Sequence, residues 1–199
     1  MKLYGSLTSP YVRKLRILIK EKPAAVEFIA VANAADPQIA ARNPLGKVPV
    51  LERDDGSTLF DSPVIAQYID SLNTPTLIPV SGEARWQTLR WEALGDGVLD
   101  AAVIRMLETR RPAPQQSTES MKHQEGKIAR AMSFAESQLN GAPWLLEQRL
   151  TYADIALAVA LEYVDLRYPH DWRSGHPRLA QWQAAVSKRS SFIETRPPT

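Results

Sequence analysis

Apolar positions change their spacing repeatedly along the first part of the chain, and each change marks an element. Residues 2–6, KLYGS, read as a short strand. Val12, Leu15, Leu18 and Ile19 then recur on one helical face, with Arg13, Lys14 and Lys20 elsewhere. VEFIAVA (26–32) is β-branched and apolar and reads as a buried strand. DPQIAARNP is a short helix bounded by prolines, and VPVLERDDGSTLF is two strands joined at Asp55-Gly56. In SPVIAQYIDSL, Val64, Tyr68 and Leu72 fall in line, with Ile65 and Ile69 beside them, so a third helix follows. The predicted order is β-α-β-α-β-β-α.

Three predicted helices open alike, at Ser9-Pro10, Asp36-Pro37 and Ser62-Pro63. Each pairs an acceptor side chain at the N-cap with proline at the first helical position. Residues 73–83, NTPTLIPVSGE, hold two prolines and a glycine and read as a connection. Beyond them only helical patterns remain, over 84–111, 117–140, 152–167 and about 176–190. The chain is therefore an α+β protein: a small α/β domain over 1–76, a linker over about 77–83 and an all-helical domain over 84–199.

Composition narrows the chemistry. The chain has 199 residues, of which 44% are apolar and 23% charged, which suffices for a packed core. A net charge of +2 without basic clusters argues against nucleic acid as a partner. No stretch is long and apolar enough to span a bilayer, and MKLYGSLTSP does not read as a secretory signal, so a cytoplasmic location is expected. The absence of cysteine excludes a thiolate nucleophile on the protein, disulfides and Cys-ligated metal. His123, His170 and His176 form no metal-binding spacing, so no metal is expected.

Four motifs could carry chemistry or only structure. In NPLGKVPVL (43–51), Pro49 interrupts a strand-like run. It is either an edge-strand proline or a cis Val48-Pro49 bond that exposes the Val48 backbone to an extended peptide ligand. In FDSPVI (60–65), Asp61 and Ser62 stand at a helix start. They either cap it or bind an α-amino acid end, with the hydroxyl and backbone N–H on the carboxylate and Asp61 on the ammonium. Ser9 is either an N-cap or a hydroxyl that stabilises a ligand's thiolate, and no Ser-His arrangement or GxSxG elbow surrounds it. In LTYADIALA (150–158), Thr151 and Asp154 have capping-box spacing and read as a folding device.

SPYVRKLRI, NPLGKVPVL, FDSPVIAQYID and LTYADIALA together resemble the glutathione transferase superfamily, in order and spacing over nearly the whole chain, with a bacterial YibF-like branch as the nearest likeness. The resemblance implies a thioredoxin-like first domain, glutathione as co-substrate and a homodimer pairing one subunit's first domain with the other's helices. It places Ser9 near the glutathione sulfur, with Thr8 as the alternative if the turn is shifted by one residue. It places Val48, before a cis Pro49, on the cysteinyl part, Asp61 and Ser62 on the γ-glutamyl end, and Lys47 near the glycyl carboxylate. Family members often carry Glu where this chain has Asp61. With no cysteine for a mixed disulfide, the implied chemistry is transfer of glutathione to a small hydrophobic electrophile, or peroxide reduction. A non-catalytic binding module and a lyase or isomerase remain as alternatives. Trp91, Met106 and Tyr163 are either electrophile-pocket residues or core.

Overall fold

The computed structural model describes residues 1–146 and 149–198, and the expected domain end at Thr199 lies outside them. Two compact units are formed, Met1–Val80 with Arg189–Thr199, and Ser81–Lys188. The first has the expected element order: β1 (Lys2–Gly5), α1 (Pro10–Glu21), β2 (Glu27–Ala30), α2 (Pro37–Ala40), β3 (Val50–Glu52), β4 (Thr58–Leu59) and α3 (Ser62–Ser71). The strands form one four-stranded sheet in the order β2-β1-β3-β4. β1 runs parallel to β2 and antiparallel to β3, which is antiparallel to β4.

Alternation along the strands divides the core. Tyr4 and Val50, opposite each other, cluster with Val31 and Ile39 on one face. Leu3 and Leu51 are the next pair and point to the other face, both fully buried. The last residue of β1 is glycine for a steric reason: a Cβ at Gly5 would lie 2.4 Å from Val12 Cγ2 of α1. On α3 the line of Ile65 and Ile69 is buried, whereas Val64 and Leu72 face outward.

Three sequence expectations change. α3 begins at Ser62 with Asp61 as its N-cap, so Ser62 is the first helical residue rather than the cap. Arg13 and Lys14, off the apolar face of α1, are buried as well. The predicted helix over about 176–190 breaks into α7 (Pro177–Val186) and α8 (Ser190–Ile193), and the chain from Arg189 on belongs to the first unit, not to a helical domain running to 199. The cause is α1, which carries donors and acceptors for the returning chain. Arg13 Nη2 donates to the Phe192 carbonyl at 3.2 Å, and Arg189 Nε and Nη2 donate to Glu21 at 2.7 and 2.6 Å. The Ser191 hydroxyl donates to the same carboxylate at 2.5 Å.

The boundary between the units is also set by a polar contact. Asp70, 2% exposed, accepts from the amides of Leu77 and Ile78 at 2.8 and 2.9 Å and from Lys22 Nζ at 3.0 Å. This fastens residues 77–78 to α3, so the first unit extends to Val80.

The second unit is built from α4 (Gly82–Thr109), a 3₁₀ turn (Ala113–Gln115), α5 (Thr118–Gln138), α6 (Tyr152–Arg167) and α7. Residues 151–161 of α6 and its cap are buried throughout, which makes α6 the central helix of this unit. α4 lies against it so closely that a Cβ at Gly95 would stand 2.9 Å from the Ala156 carbonyl oxygen. Asp154 caps the start of α6, accepting from the Thr151 amide and hydroxyl at 2.8 and 2.9 Å and from the Leu145 amide at 2.8 Å. Burial pushes its carboxyl pKa up, and these bonds only partly oppose that.

Two outcomes are expected. Asp70→Asn keeps the main-chain carbonyl that Lys22 donates to but removes the buried counter-charge, and should cost about 3–5 kcal/mol in urea denaturation. Burial raises the Glu21 pKa, but bonds from Arg189 and Ser191 outweigh it and leave the value below that of an ordinary glutamate. Its stabilisation is therefore complete above the unfolded pKa and lost as pH falls through the lowered folded value. Melting curves taken in acid should fall less steeply for Glu21→Gln than for the parent; parallel curves would remove Glu21 from the acid response.

Candidate functional site

Three segments of the first unit converge through strand register. Tyr4 pairs with Val50 and Leu51 with Leu59. Because β3 runs antiparallel to both β1 and β4, the end of β1, the start of β3 and the end of β4 lie at the same end of the sheet. The turn before α1, the loop before β3 and the turn before α3 thus meet at one end of the sheet.

Ser9 caps α1 with extended backbone (φ −76°, ψ 123°), and its Oγ accepts from the Val12 amide at 3.4 Å. That bond is long, so the cap is weak. It uses an oxygen lone pair and leaves the hydroxyl proton available to another acceptor. Capping and donation to a ligand are therefore compatible at the same side chain. Thr8 lies in the preceding turn, exposed and outside the cap position.

The loop before β3 is built by Asn43, a residue outside the expected site set. Asn43 is 2% exposed. Its Oδ1 accepts from the Leu45 amide at 3.0 Å and its Nδ2 donates to the Lys47 carbonyl at 2.9 Å. Gly46 closes the turn at φ 61°, where a side chain would be strained. Asn-Pro followed by Gly is a turn signal that marks this loop in the sequence. The Val48-Pro49 bond is cis. Val48 packs against the Tyr4 cluster through its side chain, and its backbone takes part in no hydrogen bond among the described residues. Lys47 is exposed. Arg42, also outside the expected set, lies over the Tyr4 ring at 4.3 Å and donates to Glu52 at 2.6 Å; that bond raises the Arg42 pKa.

At α3 the Asp61 carboxylate accepts from the Ser62 amide, and Asp61 is exposed. Ser62 is 1% exposed, and its Oγ has no hydrogen-bond partner among the described residues. An unpaired hydroxyl buried at a helix N-terminus is costly unless a ligand completes it, and the helix end favours an anion there.

The other candidates fall in the second unit. Trp91 and Tyr163 are 2% and 6% exposed and belong to its core, with Trp91 against Phe134 at 5.7 Å between centroids. Met106 is half-buried. Among the described residues no group of three or more His, Cys, Asp or Glu could hold a metal ion, and no helix is long and apolar enough to cross a membrane.

A sheet unit with this site, joined to a helical unit, matches two family models. These are the glutathione S-transferase N-terminal domain over residues 3–76 and the C-terminal domain over 98–185. The Escherichia coli "Uncharacterized GST-like protein YibF" is 40% identical over 100% of this chain and 99% of its own. A glutathione S-transferase from Methylobacillus flagellatus, crystallised with glutathione bound, superposes with a TM-score of 0.94 at 41% identity, covering 99% of both chains. A Pseudomonas fluorescens glutathione transferase family member with bound glutathione gives 0.93 at 36%, over 100% of this chain and 99% of its own. Elongation factor 1-gamma of Danio rerio is 27% identical over 89% of this chain but only 39% of its own. The chain belongs to the glutathione S-transferase family.

Proposed function

We propose that this protein is a glutathione transferase, and one observation carries the reading: the buried, unpartnered Ser62 hydroxyl beside Asp61 at the start of α3. A γ-glutamyl end brings a carboxylate for the Ser62 donors and an ammonium for Asp61. The unbonded Val48 backbone accepts the cysteinyl peptide group as an added strand would, next to Pro49. Lys47 is the cation for the glycyl carboxylate. The solved relatives that hold glutathione support the choice of ligand.

Ser9 donates its hydroxyl proton's hydrogen bond to the sulfur. A thiol of pKa near 8.5 is only a few per cent ionised at neutral pH. Lowering it by about 2 units needs roughly 2.7 kcal/mol of preferential thiolate stabilisation. A charge-assisted hydrogen bond together with the α1 N-terminus supplies that order of energy. The thiol proton leaves to solvent. The thiolate then forms the S–C bond to a small hydrophobic electrophile, whose leaving group departs with its electron pair. Attack on a peroxide oxygen is the same nucleophilic step with O–O cleavage. No protein thiol is present to form a mixed disulfide.

The elongation factor relative favours a second reading, in which the fold binds glutathione or a protein without turnover. Turnover of a generic haloarene with glutathione selects the first reading; binding without turnover across an electrophile panel selects the second. A cytoplasmic setting follows from the need for reduced glutathione.

Two outcomes are expected. Ser9→Ala should lower kcat at neutral pH about tenfold or more, with the deficit narrowing at high pH where the thiol ionises unaided. Thiolate absorbance of bound glutathione against pH should shift upward in the variant, while affinity stays close to the parent's; superimposable titrations would reduce Ser9 to a cap. The protein should also be a homodimer, using outward apolar side chains such as Val64 on α3 and Trp86 on α4, which are 47% and 63% exposed. Light scattering at micromolar concentration checks this, and a monomer mass would refute it.

A further inference from the structure

The N-terminus of α3 has few main-chain donors to offer. Pro63 has no N–H. The amides of Val64 and Ile65 donate to the Asp61 carbonyl at 3.0 and 3.1 Å. The Ser62 amide remains, and it donates to the Asp61 carboxylate. Beside it the Ser62 hydroxyl is buried and unpartnered. The end that would receive an anion therefore has one idle donor and one donor already held. The group that holds it is the exposed carboxylate of this chain's own Asp61.

We infer that Asp61 is an internal competitor at this end of α3, which makes the site select α-amino acid ends over plain carboxylates. The inference rests on the reading of Asp61 and Ser62 as the γ-glutamyl site. A ligand carboxylate that takes both Ser62 donors displaces the Asp61 carboxylate from the amide. The fate of Asp61 then depends on the ligand. If an ammonium sits on the same carbon as the ligand carboxylate, Asp61 exchanges the amide for the ammonium. Every donor keeps an acceptor, and two negative groups are bridged by a positive one. If the ammonium is missing, Asp61 loses its hydrogen bond and stays in place as a like charge beside the ligand. One residue thus adds affinity for the zwitterion and subtracts it for the anion. Ser62, by contrast, serves any carboxylate.

The two contributions have opposite signs, so a pair of ligands separates them. The probes are glutathione and its des-amino analogue glutaryl-cysteinylglycine, which keeps both carboxylates, the thiol and the length. Calorimetry on the full-length protein should show Asp61→Ala binding glutathione at least tenfold more weakly than the parent. The same variant should bind the des-amino analogue several-fold more tightly. Asp61→Asn, which keeps an acceptor for the Ser62 amide but no charge, should move both affinities in the same directions by less, and it carries the test if the alanine variant does not fold. A des-amino affinity that is unchanged or weakened in the folded variants, with glutathione still bound by the parent, overturns this inference alone. A parent that binds no glutathione overturns the site reading and this inference together.

Discussion

The first turn of a helix carries N–H groups that its own ladder cannot satisfy. In the first unit that constraint falls at the same end of the sheet twice, at α1 and at α3. Proline in the opening turn of each removes one donor, and Ser9 and Asp61 answer another. The candidate site consists of the remaining polar groups. Gly5 brings the start of α1 onto β1, and the antiparallel registers of β3 and β4 bring the 47–49 loop and the 60–62 turn alongside. The candidate site thus coincides with the end of the sheet where two helix starts bring their unsatisfied donors.

Local signals were legible wherever they acted locally. Proline after an acceptor marked all three helix starts of the first unit, and Asp55-Gly56 marked the hairpin. α3 starts one residue earlier than its local signal indicates: both Asp61 and Ser62 are competent caps, and only the backbone decides which lies outside the helix. Ser62 was thereby assigned the cap role that Asp61 performs, while its own hydroxyl is left over. The burial of Arg13 and Lys14 was invisible in a helical pattern that otherwise sets basic residues outward. Part of the covering chain returns from Arg189 onward, far away in sequence. Asn43 leaves no apolar pattern in the sequence, because its work is done on the loop's own backbone. The aromatic candidates on α4 and α6 could not be assigned from helical spacing, since a core stripe and a pocket wall share the same period; Trp91 and Tyr163 are core.

Saturation sets three structural carboxylates apart from the Ser62 hydroxyl. Asp154 accepts three hydrogen bonds at the start of α6. Asp70 accepts from two amides and Lys22, and Glu21 from Arg189 and Ser191. These carboxylates are knots: each ties a segment that apolar packing alone would leave adrift, and each is fully used in doing so. The Ser62 side chain is as deeply buried as those of Asp70 and Asp154, and its hydroxyl holds nothing among the described residues. A buried hydroxyl contributes to folding only through its bonds, so this one is a cost to the unliganded protein. A ligand that supplied an acceptor there would recover that cost. The same reasoning applies in milder form to Ser9, whose long cap bond stabilises α1 only weakly and leaves the hydroxyl proton uncommitted.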